Sequence, residues 1–313
     1  MSKKGSGTKY CLFSNDVEAH SIWFNQVRDE TAEKVLKEGL PLLLDIYRKF
    51  DIRTTFNFTG HIATHFPEVV KMVLPDGHEV GSHGLSHDIG HAFDTLPFES
   101  QVEHLSRTKK ILEDLSGQEV ITFRAPALRV NNDTARALAE AGYRIDSSIS
   151  SQRFDMFLSF GGLKKLKWLT APRLPYRTRE DNLFKRGNGP IVEVPISAFG
   201  LPYIGTTLRM FPFFTRIQHR FLNWENSING KPIVFDIHPN EFLNEETEKR
   251  TIHRRTKNLF NYLLSDLLRS KFKVKNLGRA AIPLYTAELD FFKKRDYRFC
   301  SIKDYCRETG LLS

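Results

Sequence analysis

Cysteine is scarce in this 313-residue chain, occurring only at Cys11, Cys300 and Cys306. That count and spacing exclude a disulfide framework and a cysteine zinc site, and an odd number favours a reducing compartment. No run of about 18 uncharged apolar residues occurs, so no segment reads as a transmembrane helix. The start of the chain is rich in Lys, Gly and Ser and has no apolar core segment, so no secretory signal is expected. Cytoplasmic location is the simplest expectation, with residues 1–9 as a disordered lead-in to a single domain over 10–313. Internal repeats and low-complexity tracts are missing too. No nucleic-acid-binding module is recognisable, so no nucleic-acid partner is expected in spite of a net charge of +9.

What the chain does have is ample material for a core. Hydrophobic residues make up 40% and aromatic residues 12%, the latter including 25 Phe. The excess of Lys and Arg points to an anionic partner without choosing among nucleic acid, acidic lipid and phosphorylated substrate. Short apolar runs alternate with helical patterns along the sequence. Strands are expected over residues 10–14, 54–58, 79–82, 120–123, 144–145, 191–194, 232–237 and 298–302. Helices are expected over 31–50, 67–74, 98–116 and 132–141. Gly117 and Gly142 stop the last two, and Asn132 serves as an N-cap. Such alternation implies parallel strands with right-handed crossovers, and the number of units favours a distorted (β/α) barrel of seven or eight strands.

Active sites of such barrels lie at the C-terminal ends of the strands, and the polar residues that stand out here occupy those ends. Asp16 and Glu18 follow the first strand, His83 and His87 the third; Arg124, Asp146 and His238 end later ones. Two imidazoles four residues apart in a tight loop can share one metal, and a carboxylate completes an open three-ligand site. From the residues alone, either acid of Asp16-Val17-Glu18 can be the ligand and the other the base.

The ordered set Ser14-Asn15-Asp16-Val17-Glu18, Ser82-His83-Gly84-Leu85-Ser86-His87-Asp88, Phe123-Arg124-Ala125-Pro126, Asp146-Ser147-Ser148 and Ile237-His238-Pro239 resembles the NodB-like polysaccharide deacetylases over roughly residues 10–306. The resemblance implies a distorted (β/α) barrel and one divalent metal ion, usually zinc. It implies Asp16 as general base, Glu18, His83 and His87 as metal ligands, and Arg124 as the partner that orients the base. It further implies His238 as general acid and Asp146 as its charged partner. The first motif departs from the family's usual adjacent aspartates, since Val17 intervenes and the second acid is Glu18. Ala127 and Ile149 stand where the family often carries aromatics.

The expected activity is hydrolysis of the N-acetyl or N-formyl amide of an aminosugar. Residues 164–221 bear on the substrate. Lys164, Lys165, Lys167, Arg173, Arg177, Arg179, Lys185 and Arg186 surround Trp168 and Tyr176, followed by Phe199, Tyr203, Phe211, Phe213, Phe214 and Phe221 with Arg209, Arg216 and Arg220. Basic residues among exposed aromatics suit an anionic bilayer. This favours a lipid-linked or other intracellular aminosugar, carried for example on a polyprenyl phosphate at the inner face of the cytoplasmic membrane. A polymeric N-acetylated polysaccharide and a small non-sugar amide are the alternatives.

Overall fold

The computed structural model describes residues 7–153, 167–244 and 269–312. Lys164 and Lys165, and most of the expected lead-in, lie outside these. Seven parallel strands form the frame: β1 (Tyr10–Val17), β2 (Thr55–Phe58), β3 (Glu79–Ser82), β4 (Thr122–Phe123), β5 (Ile145–Asp146), β6 (Val192–Glu193) and β7 (Ile233–Ile237). They are paired in the order β7-β1-β2-β3-β4-β5-β6. Just past β6 the sheet curls back on itself: Ser197 donates its backbone N–H to the Val234 carbonyl at 3.0 Å, and the Val234 N–H donates to Ser197 Oγ at 3.0 Å. A distorted barrel results. Strands β2, β3 and β7 are buried along their whole length, as expected of parallel strands covered by helices.

Helix Phe98–Ser116 and strand Glu79–Ser82 have the expected bounds, because Gly117 at φ 66° and a preceding turn fix them locally. Elsewhere the ends differ. The strand expected over 298–302 is the short pair Arg298–Phe299 beside the start of β1, and helix Thr134–Glu140 begins after Asp133 rather than Asn132. Asn131 takes the polar role in that turn, its Oδ1 accepting the Asp133 N–H at 2.9 Å. An antiparallel hairpin, Tyr176–Arg179 with Asn182–Arg186, extends the sheet beyond β6 and was not anticipated.

At the foot of the barrel, Glu79 ties three parts of the chain together. Its buried carboxylate accepts from Thr55 Oγ1 at 2.6 Å, from Thr122 Oγ1 at 2.5 Å and from the Lys303 N–H at 3.1 Å. The Ile302 N–H in turn donates to Thr55 Oγ1 at 2.9 Å. At the other end, the loop after β7 packs so closely on the helical segment Val35–Gly39 that a Cβ on Gly39 would stand 2.5 Å from the Pro239 carbonyl oxygen. Only glycine admits that approach.

His78, just before β3, is buried with its Nδ1 accepting the Thr54 N–H at 3.2 Å. Burial pushes its pKa from 6.5 down to about 4. The unfolded chain therefore takes up a proton below about pH 6.5 that the folded chain refuses until about pH 4. The stability His78 confers is complete above the first value and is lost as pH falls to the second, on the order of 3 kcal/mol. In His78→Leu that dependence should vanish. The gap in unfolding free energy between wild type and variant, measured in urea, should narrow steadily from pH 7 to pH 4.5; a constant gap would refute the assignment.

The basic, aromatic segment divides. Trp168, Tyr176, Tyr203 and Arg209 are buried, whereas Phe199, Phe211, Phe213, Arg216 and Arg220 are exposed. Arg173 is spent on Glu225, with its Nε 2.6 Å from Oε1.

Candidate active site

The ends of β1, β3, β4 and β7 bring Asp16, Glu18, His83, His87, Arg124 and His238 to one mouth of the barrel. His83 leaves β3 into a loop turned by Gly84 at φ 67°, where a Cβ would meet Phe93 and Pro126 at 3.0 and 3.3 Å. That turn returns His87 to the same side. His83 Nδ1 donates to the Arg124 carbonyl at 2.9 Å, which leaves its Nε2 lone pair facing His87 Nε2 at 3.4 Å. Glu18 Oε2 lies 2.7 Å from His87 Nε2 and 3.8 Å from His83 Nε2. This buried oxygen accepts no hydrogen bond of proper geometry. One ligand atom from each of the three falls within 4.8 Å of the others. A buried oxygen without a donor, converging with two imidazole nitrogens, could hold a divalent ion with room left for other ligands.

Beside this group, Asp16 is held on one oxygen. Oδ1 accepts from Asn57 Nδ2 at 2.9 Å and from Arg124 Nη1 at 3.1 Å, and Oδ2 takes no part in either bond. Arg124 is fully buried. It also donates to Ser14 Oγ, the Ser147 carbonyl and Ser147 Oγ, and pairs with Asp236 at 2.8 Å. Burial by itself would raise the Asp16 pKa, but His83 and Arg124 outweigh it and keep the carboxylate ionised below its ordinary range. Burial and the neighbouring Asp16 instead push Asp236 up to about 8. Two carboxylates thus share one guanidinium, and Asp16 carries the charge. The loop after Arg124 holds Ala127 and Leu128 at φ 52° and 54°, a left-handed pair that non-glycine residues adopt under constraint near functional sites.

His238 differs from the sequence expectation in its partner. Its Nδ1 is 3.1 Å from Glu241 Oε1, and its Nε2 is 3.9 Å from Glu18 Oε1. Burial opposes its charge, but Asp236, Glu241 and Glu18 prevail and raise its pKa to about 10. Asp146 does not supply this field. It sits at the end of β5 opposite Glu193 of β6, accepts from Ser148 Oγ at 2.5 Å, and is raised by burial. The pairing of Asp146 with His238 is therefore corrected to Glu241 with His238. The reason is topological: Glu241 lies one turn beyond His238 on the same loop, whereas Asp146 points into the β5–β6 pair. Glu241 is in turn gripped by buried Arg209, and a Cβ on Gly205 would stand 2.3 Å from its Oε1. Glu241→Gln should lower kcat about tenfold or more, the usual cost of losing a group that orients a working imidazole. Asp146→Asn should leave kcat close to wild type; equal losses in the two variants would restore the Asp146 pairing.

Asp236, Glu241 and Asn57 escaped the sequence reading. The available signals were an acid inside the apolar run Ile233–Ile237 and the three-residue spacing from His238 to Glu241.

Comparison with known proteins gives this geometry a context. The family described as polysaccharide deacetylase matches residues 31–145. Over these residues the chain is similar to that family, a stretch well short of half its length. The matched stretch carries His83, His87 and Arg124, while Asp16, Glu18 and His238 come from outside it. A peptidoglycan deacetylase of Helicobacter pylori is 27% identical over 146 residues, covering 44% of this chain and 49% of that protein. The chain thus spans about half the length of that relative. Among solved structures, Puue allantoinase superposes with a TM-score of 0.62 at 15% identity, covering 97% of this chain and 91% of the other. A "probable polysaccharide deacetylase" of Pseudomonas aeruginosa PAO1 gives 0.58 at 14%, covering 95% and 90%. At these identities both likenesses concern the fold alone.

Proposed function

We propose that the chain is a metal-dependent hydrolase that removes the N-acyl group from an aminosugar of a glycan. The observation that carries this is the Glu18–His83–His87 group, buried except at half-buried His87, with an ionised Asp16 on one side and a charged His238 on the other. Two imidazoles and one carboxylate suit zinc. When bound, such an ion supplies Lewis acidity toward the amide carbonyl and the attacking water. Asp16 takes the proton from that water through Oδ2, since Arg124 and Asn57 occupy Oδ1. Arg124 keeps the carboxylate charged and fixes its plane. His238, with Nδ1 held by Glu241, presents Nε2 on the Glu18 side and protonates the departing amine, otherwise a very poor leaving group.

Relatives named as deacetylases of peptidoglycan and chitin support a polymeric N-acetylated glycan as substrate. A second reading is favoured by the exposed Phe213, Arg216 and Arg220: the same chemistry on an aminosugar linked to a polyprenyl phosphate, at the cytoplasmic face of a membrane. The likeness to an allantoinase extends to the fold alone and adds no argument for a small cyclic amide. The test is acetate or formate release from peptidoglycan, chitin oligomers and lipid-linked N-acetylated sugars, with the protein stripped of metal and then reloaded with zinc. Release by the reloaded protein only is expected. Silence on every N-acylated sugar after reloading would overturn the proposal.

A further inference from the structure

Helix Pro212–Asn229 presents an unusual outer face. Its exposed positions through Ile228 are Phe213, Arg216, Ile217, Arg220, Trp224, Ser227 and Ile228, with Phe213 75%, Ile228 63% and Trp224 58% exposed. Helical geometry puts these side chains on one stripe. No acid lies on it, for the helix's one carboxylate, Glu225, is turned inward against Arg173. The stripe does not stand alone. Phe211 at the helix start meets Phe272 with ring centroids 6.3 Å apart, and Phe199 stacks on Phe221 at 4.2 Å, which in turn meets Trp224 at 5.6 Å. Among the described residues, every exposed large hydrophobic side chain belongs to this helix, to Phe211 before it, or to Phe199 and Phe272. The rest of the described surface has none. Concentration on one face is what distinguishes a contact surface from ordinary scattered exposure.

We propose that this face docks the protein on an anionic lipid bilayer. Aromatic and aliphatic side chains with arginines between them, and no acid, match a helix lying in the headgroup region: the apolar groups enter the acyl boundary and the guanidiniums meet lipid phosphates. A second copy of the chain fits poorly, since a two-fold contact through this stripe would set Arg216 and Arg220 against their own counterparts. The docking is independent of turnover, so its failure and that of the deacetylase proposal can be told apart.

The experiment is flotation of the full-length protein with mixed phosphatidylglycerol–phosphatidylcholine vesicles and with pure phosphatidylcholine, alongside acyl release from a soluble N-acetylated oligomer. Wild type should float with the anionic vesicles and remain behind with the neutral ones. Phe213→Ser with Trp224→Ser, and separately Arg216→Glu with Arg220→Glu, should each weaken partitioning about tenfold or more. Both double variants alter exposed side chains, so turnover of the soluble oligomer should be unchanged. Wild type that floats with neither vesicle would overturn the proposal. So would a concentration-dependent dimer in sedimentation velocity that Phe213→Ser with Trp224→Ser dissolves, or flotation indifferent to all four changes.

Discussion

His83→Ala should purify with metal far below one equivalent and release no measurable acyl group, whereas wild type should carry close to one. His83 is the most constrained of the three proposed ligand side chains. It is buried, its ring is pinned through Nδ1 to the Arg124 carbonyl at 2.9 Å, and its Nε2 has the ligand group before it. Losing a group that merely orients a ligand costs about 10–100-fold in affinity or activity. Losing the ligand itself should cost more, since Glu18 and His87 alone leave an open pair. The same change removes a bulky ring from a buried position, so metal content should be read on protein shown to be folded by its thermal transition. Folded His83→Ala with stoichiometric metal and full rate would dismiss the site.

Asp16→Asn should do the opposite: keep its metal and lose about 10²–10⁴-fold in rate, the range for removal of an acid or base group. The substitution is close to isosteric, so the Asn57 and Arg124 contacts to Oδ1 can persist. Arg124 keeps a carboxylate at Asp236, 2.8 Å away, so its buried charge is not abandoned. One ledger does change. Asp236 is raised first by burial and then by Asp16, so with Asp16 neutralised it should ionise more readily and take over the guanidinium. Full rate in Asp16→Asn would remove Asp16 from the chemistry, and loss of metal would make it a ligand and leave Glu18 as the candidate base. Together the two variants separate holding the ion from using it.

Much of this was legible in the sequence because it is local or repetitive. The strand and helix that matched in both bounds, Glu79–Ser82 and Phe98–Ser116, are each closed by short-range turn chemistry, a Pro-Asp-Gly turn in one case and Gly117 in the other. The convergence of the strand-end residues could be read because a parallel barrel sends all its strand ends to one mouth, so order along the chain becomes proximity. What stayed hidden depends on which side chain faces which. Asp146 and Glu241 are both carboxylates near a strand end, and only the β5–β6 register, with Glu193 opposite Asp146, shows that one of them is already engaged. Arg209, in a stretch rich in basic residues, reads as surface charge until its buried contact with Glu241 is seen. Trp168 and Phe213 are likewise indistinguishable by composition, yet one is core and the other stands in solvent.

The knot at Glu79 bears on how the chain can be cut. Three hydrogen-bond donors meet one buried carboxylate, and they come from β2, β4 and the segment just beyond Arg298–Phe299. A fragment trimmed to residues 31–145 would lack β1 and β7, two neighbours in the ring, as well as the backbone amide of Lys303 that completes the carboxylate's shell. The stretch that resembles the deacetylases is therefore expected not to fold by itself. Its foot is laced shut by the backbone of Ile302 and Lys303, more than 150 residues further along the chain.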